Sequence, residues 1–242
     1  KAFFLGPENR LQSPVPTGTG LDSYAVDFTH SASYGKKRHN RWLMHKMPNK
    51  QPMMRTEADQ QCLVYETAPL AKPLRLIGHT VVQLWLSADQ AYGDVFVYLS
   101  EVDERGEATY ITEGQLRAGW HEQRDPDTQV AGEIDVQPEL PWHGYEQAQW
   151  QDSALADGQV LSLRFDLQPT AWLFRPGTRL RLSIAGADAE NFAYHPQLCP
   201  GDSLEACPPT TYFIHRSGQF PSRIELPVVE DEASWAAGGE GP

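Results

Sequence analysis

The feature of this sequence that most constrains its fold is the alternation of apolar and polar residues in several separate runs. Apolar side chains occupy every second position across residues 161–167, and the runs 74–87, 179–184 and 223–228 repeat the pattern. This period places one face of a strand in a core and the other face in water. The run Asp94–Val102 is apolar on both faces, which predicts a more central strand.

Turn-forming residues separate these runs. Asp-Glu-Arg-Gly at 103–106 predicts a hairpin turn, and Phe-Arg-Pro-Gly at 174–177 predicts a tight turn into the next strand. The chain contains 19 Gly and 19 Pro, an excess that argues against a helical bundle. We therefore predict an all-β fold, an antiparallel two-sheet jelly-roll sandwich with a loop-rich N-terminal lead-in.

The predicted organisation is one structural domain in three parts. Residues 1–60 form the lead-in, with a strand at residues 2–5 followed by long loops that pack on the sandwich. Residues 61–229 form the sandwich, and residues 230–242 form a flexible acidic tail. Because so long a loop-rich segment is unusual inside a compact domain, we expect it to pack on a partner and to allow the isolated domain to form a homodimer.

Charge and hydropathy exclude two classes of partner. The formal net charge is −12, and without a basic patch no nucleic-acid partner is expected. The longest apolar runs fall far short of the ~20 residues that a membrane span needs, so no membrane partner is expected either.

The search for a catalytic motif in this chain gives none. A serine hydrolase of the α/β type needs Gly-x-Ser-x-Gly, and this pentapeptide is absent. The string Gly-Asp-Ser-Leu at 201–204 spells the signature of another lipase class, but no apolar strand precedes it and no Asp-x-x-His follows it. We interpret the string as a coincidence and predict no catalytic residue in this chain.

No metal or cofactor is expected either. The eight histidines include no His-x-His and no His-Glu-x-x-His. The alternative is a calcium site formed by Asp94, Glu101 and Asp103, or a self-contained metal-dependent β-sandwich enzyme.

Five tryptophans keep a binding function open. They are candidates for a sugar-stacking platform of a carbohydrate-binding module, as an alternative to aromatic residues of the core: Trp42, Trp120, Trp142, Trp150 and Trp172.

Two of the three cysteines bracket a short loop rich in Pro and Gly. Cys199 and Cys207 form a disulfide in one interpretation and remain two free thiols in the other. A disulfide would favour a periplasmic or secreted location over the cytoplasm.

A series of short strings along the strands resembles one family. Leu-Val-Tyr-Glu-Thr-Ala-Pro-Leu begins at residue 63, Leu-Ser-Glu-Val-Asp at 99 and Glu-Gly-Gln-Leu-Arg-Ala at 113. Phe-Arg-Pro-Gly-Thr-Arg-Leu-Arg-Leu follows at 174, and the series ends with Pro-Ser-Arg-Ile-Glu-Leu-Pro at 221. In order and spacing, this series is similar to the C-terminal domain of the X-Pro dipeptidyl-peptidase family, which cocaine esterase and α-amino-acid ester hydrolases share.

The resemblance implies a fold and a function. It implies a jelly-roll sandwich of the galactose-binding-like type, packed against an N-terminal α/β-hydrolase domain of the same parent chain. That partner domain holds the Ser-His-Asp triad, while this domain braces it and closes its substrate pocket. By position, the loop that approaches the pocket falls within residues 17–34, and Tyr24 and Phe28 are the expected residues of the pocket wall.

The sequence departs from this family at three places. Thr178 stands where the family usually has His after Pro-Gly, and Tyr-His-Pro at 194–196 replaces an Asn-Pro string. Residues 199–209 form an insertion. These departures place the sequence in a divergent branch and leave the substrate of the parent open.

Overall fold

The computed structural model of the chain describes residues 1–32, 53–124 and 140–229. These residues form β-strands, loops and short 3-10 helices, with no α-helix among them. The strands are β1 (Ala2–Gly6), β2 (Arg10–Gln12), β3 (Leu21–Ala25), β4 (Leu63–Glu66), β5 (Leu74–Gly78), β6 (Val81–Ala88), β7 (Asp94–Val102), β8 (Ala108–Arg117), β9 (Leu161–Asp166), β10 (Thr170–Phe174), β11 (Arg179–Ala185), β12 (Thr211–His215) and β13 (Arg223–Glu225). The 3-10 helices span Pro7–Asn9, Ala58–Gln61, Ala118–Trp120, Gln147–Gln149, Ala156–Gly158, Pro200–Asp202 and Leu204–Ala206.

Most strands belong to one long sheet that folds over into two layers. Its order is β3-β12-β6-β13-β1-β2-β4-β11-β7-β8, and β9 pairs with β6 outside this path. The pairings are antiparallel except for the single parallel pair of Arg10 with Glu66, which joins β2 to β4. A separate two-stranded sheet consists of β5 and β10. The predicted all-β sandwich is confirmed.

The larger of two clusters of buried apolar residues lies between the layers. It contains fully buried side chains from β6 and β9 on one side and from β7 and β11 on the other, among them Leu84, Leu163, Val97, Leu99 and Leu182. Strand β7 lies between β8 and β11, as its apolar character on both faces predicts.

Two turns determine where the strands reverse. Between β7 and β8 the backbone N–H of Asp103 donates to the carbonyl oxygen of Glu107 at 3.0 Å, and Gly106 adopts φ +88°. Gly177, before β11, adopts φ +84°. Positive φ values favour glycine, which explains why both turn sequences carry it.

The lead-in contributes more strands than its sequence suggests. Strand β1 pairs with β13 and β2, and β3 pairs with β12 at the edge of the sheet. The expectation of a single strand followed by long loops is therefore incomplete, because β2 and β3 are also members of the main sheet. The boundary at residue 60 stays a prediction.

Among the residues that the structure describes, no helix is both long and apolar enough to span a membrane.

Candidate functional site

Several strands begin or end at the same end of the sandwich. Phe96 lies opposite Ala185, Asp94 lies opposite Arg117, and Ala25 lies opposite Thr211. The segments at this end are called the loop end here: 26–32, 89–93, 118–124, 145–160 and 186–210. The opposite end, called the hairpin end, contains the 103–107 turn and the sheet of β5 and β10. Because β7 has nine residues, the two ends are about 30 Å apart.

Phe28 lies at the loop end, immediately beyond β3. Its ring contacts that of Tyr194 edge to face, with the centroids 6.0 Å apart, and its carbonyl oxygen accepts the Tyr194 hydroxyl at 2.9 Å. The preceding Asp27 accepts the backbone N–H of Thr29 at 2.8 Å and the side-chain amide of Gln61 at 2.8 Å. These bonds give Phe28, which is half-buried, a defined place on the surface.

Tyr24 occupies a different environment from Phe28. Its side chain is 8% exposed and belongs to the core, where its ring lies 6.3 Å from that of Tyr212. Its hydroxyl donates to the backbone carbonyl oxygen of Gln61 at 2.9 Å, and burial raises its pKa above the ordinary value. The structure thus places Tyr24 beneath the loop and Phe28 within it, and their role as a pocket wall stays a prediction.

A groove of about 240 Å³ lies at the loop end. Its lining includes Phe96, Gln115, Phe192 and an ion pair between Asp94 and Arg117. Arg117 donates to both carboxylate oxygens of Asp94, at 2.6 and 2.9 Å, and this bonding raises the pKa of Arg117. A smaller cavity that includes Phe28 shares Asp94, Phe96 and Phe192 with the groove. The loop end therefore offers a concave apolar surface with one charged rim.

Aromatic rings continue from this groove across the loop end. Trp120 contacts Tyr145 and Trp150 edge to face, at centroid distances of 5.6 and 5.0 Å. The ring of His195 then contacts Trp150 at 5.9 Å and Tyr92 at 4.9 Å. Tyr145 is 68% exposed, so the chain of rings reaches solvent.

These rings do not support a flat sugar platform. Of the four candidate tryptophans that the structure describes, only Trp120 and Trp150 come together, and their planes are inclined by 67°. Trp172 lies at the hairpin end, where its indole N–H donates to Glu101. Trp42 falls outside the described residues. The carbohydrate-binding alternative gains no support from this geometry.

Two further side-chain pairs have the residue types of nucleophilic catalysis. The Ser87 hydroxyl lies 2.9 Å from Nε2 of His215, whose pKa is lowered by burial. A serine nucleophile needs its histidine oriented by an acid, and within the described ranges no carboxylate is bonded to His215. Cys62 lies 3.8 Å from Nε2 of His30, but burial raises the pKa of its thiol to about 12, so the reactive thiolate is scarce.

The candidate calcium ligands do not come together. Asp94 is paired with Arg117 at the loop end, whereas Glu101 and Asp103 lie at the hairpin end. Asp103 accepts the backbone N–H groups of its own turn, and Glu101 accepts the Thr178 hydroxyl at 2.8 Å. The calcium alternative at these three residues is therefore wrong, and the described residues contain no group of three potential metal ligands elsewhere.

The loop of residues 199–207 is closed by its two cysteines. The structure joins Cys199 to Cys207 in a disulfide, with their Cα atoms 4.3 Å apart. Within this loop the hydroxyl of Ser203 donates to Glu205, not to a histidine, which agrees with reading the Gly-Asp-Ser-Leu string as a coincidence. Pairing of the two cysteines in solution stays a prediction.

Comparison with known proteins gives the family and the size of its members. The model of the family described as "X-Pro dipeptidyl-peptidase C-terminal non-catalytic domain" matches residues 1–225. Proteins named "Putative serine esterase" from Mycobacterium bovis and Mycobacterium tuberculosis are each 36% identical to the chain over 239 residues. The match covers 95% of this chain but only 34% of each relative.

Solved structures share the fold at low identity. A CocE/NonD family hydrolase from Staphylococcus aureus is similar with a TM-score of 0.62 at 17% identity. An aminopeptidase from a marine sediment Thaumarchaeota archaeon gives 0.64 at 18%, and an α-amino-acid ester hydrolase gives 0.66 at 19%. Each comparison covers 95% of this chain and 36% of the other chain.

Proposed function

The chain belongs to the family of X-Pro dipeptidyl-peptidase C-terminal non-catalytic domains, and from this premise we propose that it is the accessory domain of a serine hydrolase. The family match over residues 1–225 is the observation that carries the proposal. The size of the mycobacterial relatives supports it, because about 460 of their residues lie outside the part that corresponds to this chain. That length suffices for an α/β-hydrolase domain that would precede Lys1.

In this proposal the chemistry belongs to the partner domain of the parent. Its serine attacks the carbonyl carbon of an ester or Xaa-Pro amide, while its histidine accepts the serine proton and later protonates the leaving group. Water then hydrolyses the acyl-enzyme. This chain contributes no nucleophile and no base.

The accessory domain has two tasks, to brace the hydrolase domain and to close one wall of its substrate pocket. Phe28 supplies the apolar surface of that wall, and Tyr24 supports the loop from the core below. The groove lined by Phe96 and Phe192 shares these residues with the smaller cavity that includes Phe28, and it supports this assignment because most substrate pockets are concave and largely apolar.

Hydrolysis of p-nitrophenyl esters and Xaa-Pro-anilides tests the division of labour. We expect turnover by the full parent protein, none by the isolated chain of residues 1–242, and a large loss of kcat/KM in a parent truncated before Lys1. Turnover by the isolated chain that a serine-directed inhibitor abolishes would contradict the proposal, as would full activity of the truncated parent.

The pocket wall is tested in the parent with the variants F28S and L173S. Leu173 is the control, because it is 51% exposed and lies on β10 at the hairpin end. F28S should raise KM several-fold, whereas L173S should leave it unchanged. Equal effects of the two variants would exclude Phe28 from the pocket.

Self-association of the isolated domain is part of the same proposal, since the surface that meets the hydrolase domain would be uncovered. Light scattering coupled to gel filtration measures it. A monomer at all concentrations would remove the homodimer from the proposal.

A further inference from the structure

A buried carboxylate holds the loop of residues 27–32 against the sheet. Asp188, which is 1% exposed, follows β11, and its carboxylate accepts four hydrogen bonds from described residues. The hydroxyl of Tyr98 donates to its Oδ2 at 3.0 Å. The backbone N–H of Ala32, the hydroxyl of Ser31 and the side-chain amide of Asn191 donate to its Oδ1, at 3.0, 3.2 and 2.7 Å. One side chain thus ties the loop to β7 and to the segment after β11.

Other contacts attach the same loop to this segment. The backbone N–H of Ala189 donates to the carbonyl oxygen of His30 at 2.8 Å. The Tyr194 hydroxyl donates to the carbonyl oxygen of Phe28 at 2.9 Å. The His30 ring, fully buried, lies edge-on to Tyr98 at 6.0 Å. The place of Phe28 is therefore determined by residues 188–194 as well as by β3, which precedes it.

We propose that Asp188 is a positioning residue for the substrate pocket of the parent hydrolase, acting through the loop that carries Phe28. The proposal rests on the proposed function, and it adds a residue that touches no substrate. A carboxylate is an acceptor on both oxygens, so it serves donors from three directions at once. Alanine in its place removes both acceptor oxygens, so the Ala32 backbone N–H and the Ser31 hydroxyl lose their partner and the loop loses an anchor.

Asp188→Ala in the full parent protein, assayed with p-nitrophenyl acetate and p-nitrophenyl butyrate, tests the proposal. The partner's triad is untouched, so we expect kcat to stay within about twofold while KM rises by about threefold or more. The effect should be larger for the longer acyl chain, because it makes more contact with an apolar wall.

Glu101 offers a matched control at the hairpin end. Its carboxylate accepts the Trp172 indole N–H at 3.1 Å, the Arg175 backbone N–H at 3.0 Å and the Thr178 hydroxyl at 2.8 Å. Glu101→Ala therefore removes a comparable cluster of bonds about 30 Å from the loop. We expect it to lower thermal stability without a change in KM. Equal KM effects in both variants, or none in either, would overturn the positioning role.

A second measurement needs no activity. Hydrogen exchange of the isolated chain should show faster exchange of the Ala32 and Ala189 amides in Asp188→Ala and in the milder Tyr98→Phe, with little change across β5 and β10. Unchanged exchange at Ala32 would show that Asp188 does not hold the loop in place. If exchange changes but KM does not, Asp188 holds the loop but the loop does not face the pocket. That outcome overturns the inference and leaves the proposed accessory role intact.

Discussion

Removal of the Cys199–Cys207 link should lower the stability of the domain by an amount that follows from the length of the loop. The two cysteines are eight positions apart, so the bond closes a loop of nine residues. Loss of the chain-entropy restriction for a loop of this length costs about 2.6 kcal/mol of unfolding free energy. For a chain of this size that corresponds to a fall of about 5–10 °C in Tm.

Calorimetry of wild type and the double variant C199S/C207S, each with and without a thiol reductant, measures this loss. We expect the reductant to destabilise wild type to the level of the variant and to leave the variant unchanged. The variant is thus its own control for effects of the reductant elsewhere, including at the free Cys62. The reasoning would be refuted if the double variant were as stable as wild type and the reductant left the Tm of wild type unchanged.

Three further predictions concern the stability of the fold. Burial and the charge of Arg55 lower the pKa of His30 below its ordinary 6.5, so between that lowered pKa and about pH 6.5 the unfolded chain binds more protons at this group than the folded chain does. The free energy of unfolding should therefore decrease as the pH is lowered below about 6.5, by at most about 1.4 kcal/mol per pH unit from this group. Urea titrations of H30Q should show a weaker dependence of stability on pH in this range. Gly114→Ala should cost about 1–3 kcal/mol in the same titrations, because its Cβ would lie 2.5 Å from the Asp166 carbonyl oxygen, whereas Gly18→Ala, with nothing within 4 Å, should cost nothing comparable. Asp22→Ala should cost about 2–3 kcal/mol, since it removes the acceptor of the buried Tyr65 hydroxyl and both bonds from Arg216; a smaller loss in a Y65F background would confirm the coupling.

The central strands could be predicted from the sequence because their buried faces appear as apolar residues at alternating or consecutive positions. Asp94–Val102 has the same bounds as β7, and the run at 161–167 corresponds to β9. Strand β3 was missed for the opposite reason. At the edge of the sheet only Tyr24 of its five residues is buried, so the segment shows no alternation of apolar residues.

The candidate site could be predicted less well from the sequence, because the positions of its residues depend on strand register and on loop conformation. Counting outward from the hairpin turn in an unbroken ladder places Asp94 opposite Leu116. A bulge between Leu99 and Ser100 shifts the pairing by one residue and brings Arg117 opposite Asp94. Three of the four donors to the Asp188 carboxylate lie 90 or more residues away, and no local pattern reveals them.

The pairing of β1 with β13 also has a consequence for how the domain is made. Ala2 lies opposite Glu225, so the middle of the sheet joins segments from nearly opposite ends of the sequence. At the ordinary rate of about 5–20 residues per second, a ribosome needs roughly 10–45 s to synthesise the residues between them. Throughout that interval the hydrogen-bonding edge of β1 that β13 will occupy is open, and the nascent sheet stays divided until β13 leaves the exit tunnel.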